Sequence, residues 1–136
     1  MTSSASQCQK YREQSVNAMT PGEQIILLFK QATVNISKAI KCINEKDICG
    51  AHNSIVNAQD IYAYLSDILN MSFEVSKSLY ALYDFIDDRL LQANLNKDVA
   101  ILDQVLSMTR ELCATWEKAE SESRNAAALK EKSQKA

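Results

Sequence analysis

Apolar side chains recur at three- and four-residue steps through four successive stretches of this chain, and this period constrains the fold more than any other feature. Residues spaced in this way fall on one face of an α-helix. The first two stripes are Ile25, Leu28, Phe29, Ala32, Ile36, Ala39, Ile40 and Ile43, then Ile48, Ala51, Ile55, Ala58, Tyr62, Leu65 and Leu69. The other two are Val75, Leu79, Leu82, Tyr83, Ile86, Leu90 and Ala93, then Val99, Leu102, Leu106, Cys113 and Trp116, with Thr109 between them. The pattern predicts four amphipathic helices.

Residues that cap free backbone N–H groups mark where each helix begins. Thr20, Pro21 and Glu23 predict a capping box with proline at the first helical position. The other starts are predicted at Asp47, at Ser72, and at Asn96 or Asp98. The predicted helices span about 20–46, 47–70, 72–94 and 96–117.

The connections between these helices are short, which favours an all-α, antiparallel up-down-up-down four-helix bundle over residues 20–117. Two glycines and one proline in 136 residues are too few for the turns of a many-stranded β-fold. Residues 1–19 are predicted to form a polar N-terminal tail. Residues 118–136 form a charged C-terminal tail that either extends the fourth helix or frays.

Charge and composition narrow the possible partners and the compartment. A formal net charge of -2 leaves no basic surface for nucleic acid. The N-terminus lacks a signal-peptide pattern, and no segment approaches the length of a membrane span. We therefore expect a cytoplasmic protein that does not insert into membranes. The four cysteines, Cys8, Cys42, Cys49 and Cys113, are expected to be reduced thiols.

The residue inventory argues against an enzyme and against a bound metal or cofactor. His52 is the only histidine, no glutamate stands three residues before it, and no glycine-rich phosphate loop exists. Cys42, Cys49 and His52 match no common zinc spacing and lack a fourth ligand. The three aspartates within residues 84–88 are expected to form a solvated acidic face.

Several large apolar residues lie off the inward stripes and are candidates for a binding surface. Residues 25–29 are all apolar and cover the whole helix circumference at 100° per residue. Ile26 and Leu27 therefore lie outside the inward stripe. The fourth helix carries a second stripe of Ile101, Val105, Met108 and Leu112. Val34, Tyr64, Tyr80 and Phe85 also stand to the side. The second stripe is either a wide core face or a groove for a partner.

The N-terminal tail offers a cover for part of this surface. Its larger apolar residues are Tyr11, Val16 and Met19. Met19 directly precedes the helix start and fits a hydrophobic staple against the first turn. We expect the tail to shelter Ile26 and Leu27.

The segment Leu82–Asn94 reads LYDFIDDRLLQAN. This stretch resembles the FliS family of flagellar secretion chaperones, which shows a Leu-Tyr-Asp-Tyr helix followed by Arg-Leu-x-x-Ala-Asn. Tyr11, Val16 and Pro21 stand at the family's spacing of five and five. Further matches are Asp98, Leu102, Val105, Leu106, Leu112 and Trp116. The resemblance runs from about Tyr11 to Trp116.

This resemblance implies a cytosolic bundle that binds the disordered C-terminal segment of flagellin, prevents premature polymerisation and escorts it to the flagellar type III export gate. It also implies an N-terminal tail that lies over part of the bundle and is displaced by cargo. Tyr11, Val16 and Met19 are the candidates for this cap or for a contact with the export gate. The flagellin groove is predicted to include Ile101, Val105, Met108, Leu112, Ile26, Leu27 and Tyr64.

Two other functions fit the same helical pattern. One is a different helical secretion adaptor with another cargo. The other is a self-associating structural module in which the second stripe of the fourth helix pairs with its own copy. The expected oligomeric state is a monomer or a weak homodimer.

Overall fold

The structure, a computed structural model, describes residues 18–134. This part of the chain is entirely helical between its turns, with α1 at Pro21–Asn44, α2 at Ile48–Asp67, α3 at Glu74–Asn96 and α4 at Val99–Gln134. Each helix packs on the next in chain order, and α4 packs back on α1. Because the connections are only a few residues long, successive helices run antiparallel. The predicted all-α four-helix bundle is confirmed.

Side-chain caps begin three of these helices, as the sequence predicts. The capping oxygens accept backbone N–H groups as follows: Thr20 from Glu23 at 3.1 Å, Asp47 from Gly50 at 3.0 Å, and Asp98 from Ala100 at 2.9 Å. Such caps satisfy N–H groups that have no partner inside the helix, so they fix the residue at which each helix begins.

The start of α3 differs from the prediction. Ser72 does not cap it; the helix begins at Glu74, and the N-cap position is occupied by Phe73, which makes no side-chain cap. The side chain of Asn70 instead accepts both the backbone N–H of Ser72 at 3.1 Å and its hydroxyl at 2.5 Å. This local turn engages the serine before the helix begins, and the N-cap position lies one residue later, at Phe73.

Three aromatic rings from three helices form the centre of the core. Phe29 of α1, Tyr62 of α2 and Tyr83 of α3 are almost completely buried. Their ring centroids lie 5.8 to 6.3 Å apart in tilted and edge-on arrangements, which the electrostatics of aromatic rings favour. The fourth helix joins them through Thr109, whose hydroxyl lies 2.6 Å from that of Tyr62. One buried cluster therefore links all four helices.

Most of the predicted inward positions are buried or half-buried, but two are exposed. Ile48 is 52% exposed and Val75 is 63% exposed. Each lies in the first turn of its helix, at an end of the bundle, where a residue at the correct angle still lacks a neighbouring helix to pack on. The correct helical period therefore does not guarantee burial at a helix end.

The fourth helix is longer than the bundle requires. It continues for 36 residues to Gln134, whereas α1, its neighbour, has 24. The difference of 12 residues corresponds to about 18 Å of helix axis. The charged C-terminal tail is therefore helical as far as residue 134. Residues 117–134 are called the C-terminal arm below.

Candidate protein-binding grooves

The first groove lies between α1 and α2 and is called the α1–α2 groove. It has a volume of about 520 Å³ and is lined by Pro21, Gln24, Ile25, Leu27, Leu28, Gln31, Tyr64 and Ile68. Tyr64 is 53% exposed, and Ile68, one helical turn later, is 44% exposed. Since residues four apart share a helix face, these two form one apolar wall opposite Leu27. Two predicted groove residues, Leu27 and Tyr64, therefore meet here.

The second groove lies between the first turns of α1 and the C-terminal arm, and is called the arm groove. Its volume is about 600 Å³, and its lining is Met19, Glu23, Ile26, Leu27, Lys30, Glu117, Glu120, Ser121, Arg124 and Asn125. Apolar groups come from Met19 and α1, whereas the arm supplies polar and charged groups. Leu27 also lines the α1–α2 groove, so it forms the ridge between the two. The surplus residues of the first helix thus face two grooves.

The third groove lies between α3 and α4, the neighbouring helices that pack least extensively, and is called the α3–α4 groove. It measures about 380 Å³ and is lined by Phe85, Arg89, Gln104, Val105, Ser107, Met108 and Glu111. Phe85 is 52% exposed on one side, and Met108 is half-buried on the other. A flexible methionine beside an exposed aromatic ring is a surface that adapts to different guests.

The second stripe of α4 is not a continuous exposed surface. Val105 is only 1% exposed and belongs to the core cluster, so at this position the stripe widens the core face; the same residue forms the floor of the α3–α4 groove. Ile101 and Leu112 are half-buried and pack on the core. Side chains of this stripe are partly buried because α1 and α3 pack against α4 on either side of its core face.

One apolar surface was not predicted, at the connection between α2 and α3. Ile68, Met71, Phe73 and Val75 are each 44–63% exposed there. Beside them lies a hollow of about 240 Å³ whose mainly apolar walls include Leu69, Leu79 and Trp116. The signal was present in the sequence, since connections are usually polar and this one contains four large apolar residues.

Of the three candidates that the sequence offered in the N-terminal tail, only Met19 lies within the described residues. Met19 lines the arm groove, and the side-chain amide of Gln24 donates to its carbonyl oxygen at 3.3 Å. Tyr11 and Val16 lie outside the described residues. The contact between the first turn of α1 and the residue before the cap is thus present, whereas the rest of the predicted cover remains a prediction.

Asp87 is the half-buried member of the acidic turn of α3 and lies against Gln59 of α2, whereas Asp84 and Asp88 are exposed. Partial burial raises the pKa of Asp87, and a hydrogen bond with Gln59 opposes the shift. The negative charges of Asp84, Asp88 and Asp60 raise it further. Within residues 18–134, no group of three or more histidine, cysteine or acidic side chains is arranged to hold a metal ion.

No described helix combines the length and the apolar character that a membrane crossing requires. The fold and its grooves define a class: a helical module that presents apolar grooves between its helices.

Comparison with known proteins identifies the family. The chain matches the family "Flagellar protein FliS" over residues 4–123. It is 32% identical over 109 residues to the flagellar secretion chaperone FliS of Bacillus subtilis, a match that covers 80% of this chain and 82% of that protein. It is 27% identical over 115 residues to the flagellar secretion chaperone FliS of Vibrio cholerae, covering 80% and 85%.

The chain belongs to the FliS family, as the sequence resemblance predicted. Membership of this family makes it a flagellar export chaperone.

Proposed function

We propose that this chaperone binds the disordered C-terminal segment of flagellin, prevents its premature polymerisation in the cytoplasm and escorts it to the flagellar export gate. The observation that carries the proposal is the distribution of apolar surface. It is divided among grooves of about 240–600 Å³ on different sides of the bundle. A long flexible segment can occupy several such grooves, whereas a compact ligand would use only one.

Binding by coupled folding accounts for shallow grooves. A disordered segment that folds as it binds buries about 1,000–3,000 Å² and gives up several kcal/mol to ordering. No single groove of this size supplies such an area, so the contacts must be spread along the bundle. Amphipathic helices, which place apolar residues on one face, fit grooves between two helices.

We assign the strongest contacts to the α1–α2 and α3–α4 grooves. Leu27 and Tyr64 supply the walls of the first. Phe85 and Met108 supply the walls of the second, above buried Val105. Ile26, Ile101 and Leu112 are half-buried, so a guest gains less area from each of them.

Tyr64→Asp is the central test, and the chain offers a matched control. Tyr64 is 53% exposed and lines a groove, whereas Tyr80 is 49% exposed on α3 and lines none of the grooves described above. Calorimetry with a synthetic flagellin C-terminal peptide should show at least tenfold weaker binding for Tyr64→Asp, which corresponds to about 1.4 kcal/mol. Tyr80→Asp should bind like the wild type. Equal loss in both variants, or in neither, would contradict the assignment.

Met108→Asp tests the α3–α4 groove in the same titration. A charged group between Phe85 and Glu111 should weaken binding while circular dichroism shows an intact helical fold. Light scattering with and without the peptide separates cargo binding from self-association. A chain that dimerises alone and does not bind the peptide would support the self-associating module instead.

The N-terminal tail is assigned the role of a displaceable cover. Met19, which ends this segment of the sequence, lines the arm groove together with Ile26. Deletion of residues 1–18 should leave the bundle folded and strengthen peptide binding, since the cover no longer competes. Normal peptide binding by a Tyr11→Ala chain whose export is reduced would place Tyr11 at the export gate. Unchanged peptide affinity after the deletion would argue against the cover.

A further inference from the structure

The C-terminal arm is joined to the start of α1 by a set of polar contacts between residues about 100 positions apart. The hydroxyl of Thr20 donates to the carboxylate of Glu120 at 2.7 Å. The guanidinium of Arg124 donates to the carboxylate of Glu23 at 2.7 Å and lies 3.9 Å from that of Glu120. These four side chains are called the arm latch.

Gly22 shows that the latch requires space. Its φ is not positive, so the backbone conformation gives no reason for glycine here. A Cβ at this position would overlap the carboxylate of Glu120. Gly22 is the second residue of α1, where the absence of a side chain leaves room for the carboxylate of Glu120.

The position of Glu120 is electrostatically favourable. Its carboxylate lies against the first turn of α1, where unpaired N–H groups give the helix end a partial positive charge. Thr20 accepts the N–H of Glu23 and donates to Glu120, so one hydroxyl both caps α1 and holds the arm. The end of α4 thus stabilises the beginning of α1.

The attachment is nevertheless weak enough to be reversible. The side chain of Arg124 is 60% exposed and that of Glu23 is 34% exposed. Exposed ion pairs of this kind contribute little to stability. The arm adds little apolar burial, since every described side chain from Ser121 onward is exposed, including Leu129 at 68%. The arm is held chiefly by its latch.

We propose that the C-terminal arm is a strap that closes the arm groove over Ile26 and Leu27, and that it detaches when an apolar guest segment binds there. The arm forms one wall of this groove, and the two residues form the other. Opening the latch removes the polar wall and exposes the outer side of α1. The regulatory part of this inference rests on the proposed cargo binding.

Gly22→Ala and Glu120→Ala test the latch in the full-length chain, with Glu122→Ala as the matched control. Glu122 carries the same charge on the same helix and is exposed. Hydrogen exchange measured by mass spectrometry should be about two- to fivefold faster in residues 20–27 and 117–125 of both variants, as expected for loss of weak exposed contacts. The control should exchange like the wild type.

Gly22→Ala is the more selective variant. Alanine favours the helix, so a purely local effect would slow exchange in α1. A latch that is displaced by the added methyl group instead predicts faster exchange in the arm. Unchanged or slower exchange in residues 117–125 of both variants would overturn the proposal.

The effect on the guest is measured with the flagellin peptide. Glu120→Ala should bind it about two- to fivefold more tightly than the Glu122→Ala control, since no latch has to open. Equal or weaker binding would overturn the regulatory role, even if exchange shows that the latch exists. A wild-type chain that binds no peptide would refute the proposed function and its regulation together, while the exchange experiment still decides whether the arm is latched.

Discussion

The hydroxyl groups of Tyr62 and Thr109 lie 2.6 Å apart in the centre of the core, and both residues are completely buried. The Thr109 hydroxyl also donates to the carbonyl of Val105 at 2.8 Å. Because threonine has a single hydroxyl proton, Tyr62 is the donor in the pair. This hydrogen bond fixes α2 against α4 at one register, since a shift of either helix would leave a buried hydroxyl without a partner.

Removing the Tyr62 hydroxyl and removing the Thr109 hydroxyl should lower the free energy of unfolding by different amounts. Tyr62→Phe leaves Thr109 bonded to Val105 and should lower the free energy of unfolding by about 0.5–1.5 kcal/mol. Thr109→Val leaves the Tyr62 hydroxyl buried without an acceptor and should lower it by about 1–3 kcal/mol. Urea denaturation of both variants and of the double variant measures the difference. Equal losses would show that water or another group replaces the missing partner.

Alanine substitutions at Val105 and Met108 should distinguish a core position from a groove position by their effect on the free energy of unfolding. Val105 is completely packed, so Val105→Ala removes buried methyl groups and should cost roughly 2–3 kcal/mol of unfolding free energy. Met108 is half-buried at the groove wall, and Met108→Ala should cost about 1 kcal/mol or less. The comparison uses the shift in the urea midpoint. A larger loss for Met108→Ala would show that the methionine belongs to the core.

Alanine substitutions at Thr20, which caps a helix, and at Ser72, which does not, should differ in their effect on stability. Thr20 accepts the N–H of Glu23, so Thr20→Ala should destabilise the protein by about 1 kcal/mol. Ser72 lies outside α3 and does not cap it, so Ser72→Ala should change stability by no more than about 0.5 kcal/mol. Thermal unfolding followed by circular dichroism measures both. A larger loss for Ser72→Ala would restore it as a determinant of the α3 start.

Cys113 should make stability fall in alkaline solution. Burial, followed by its hydrogen bond to Glu117, raises the pKa of this thiol from 9.0 to about 11. The folded state therefore retains the proton to a higher pH than the unfolded chain does. The stabilisation is fully present below about pH 9 and is lost as pH rises towards about 11.

Urea denaturation between pH 8 and about 10.5 tests this dependence, with Cys113→Ala as the reference. The alanine variant is less stable at pH 8 but should lose less stability on going to high pH. Burial also raises the pKa values of Tyr62 and Tyr83, and these contributions are common to both proteins. Parallel pH profiles would show that Cys113 does not contribute to the alkaline decline.

The helical period of the sequence identified some of the groove residues but did not determine which of them are buried. Leu27 was identified because five consecutive apolar residues exceed one helical face, and it lies on the ridge between two grooves. The same reasoning left open whether the second stripe of α4 is a core face or a groove, and Val105 on this stripe is buried. An angle around one helix says which side a residue occupies; the distance to the neighbouring helices decides how wide the buried side becomes.

Local features determined the helices of this protein before any packing was known. A period of 3.6 residues and side chains that cap N–H groups act within one or two turns, so Thr20, Asp47 and the inward stripes could be identified from the sequence alone. The family resemblance was also readable, since it rests on consecutive residues of α3. Contacts such as Thr20 with Glu120 join residues 100 positions apart, and no local pattern specifies them. Only the packing of α4 against α1 decided that the charged end of the chain forms the wall of a groove.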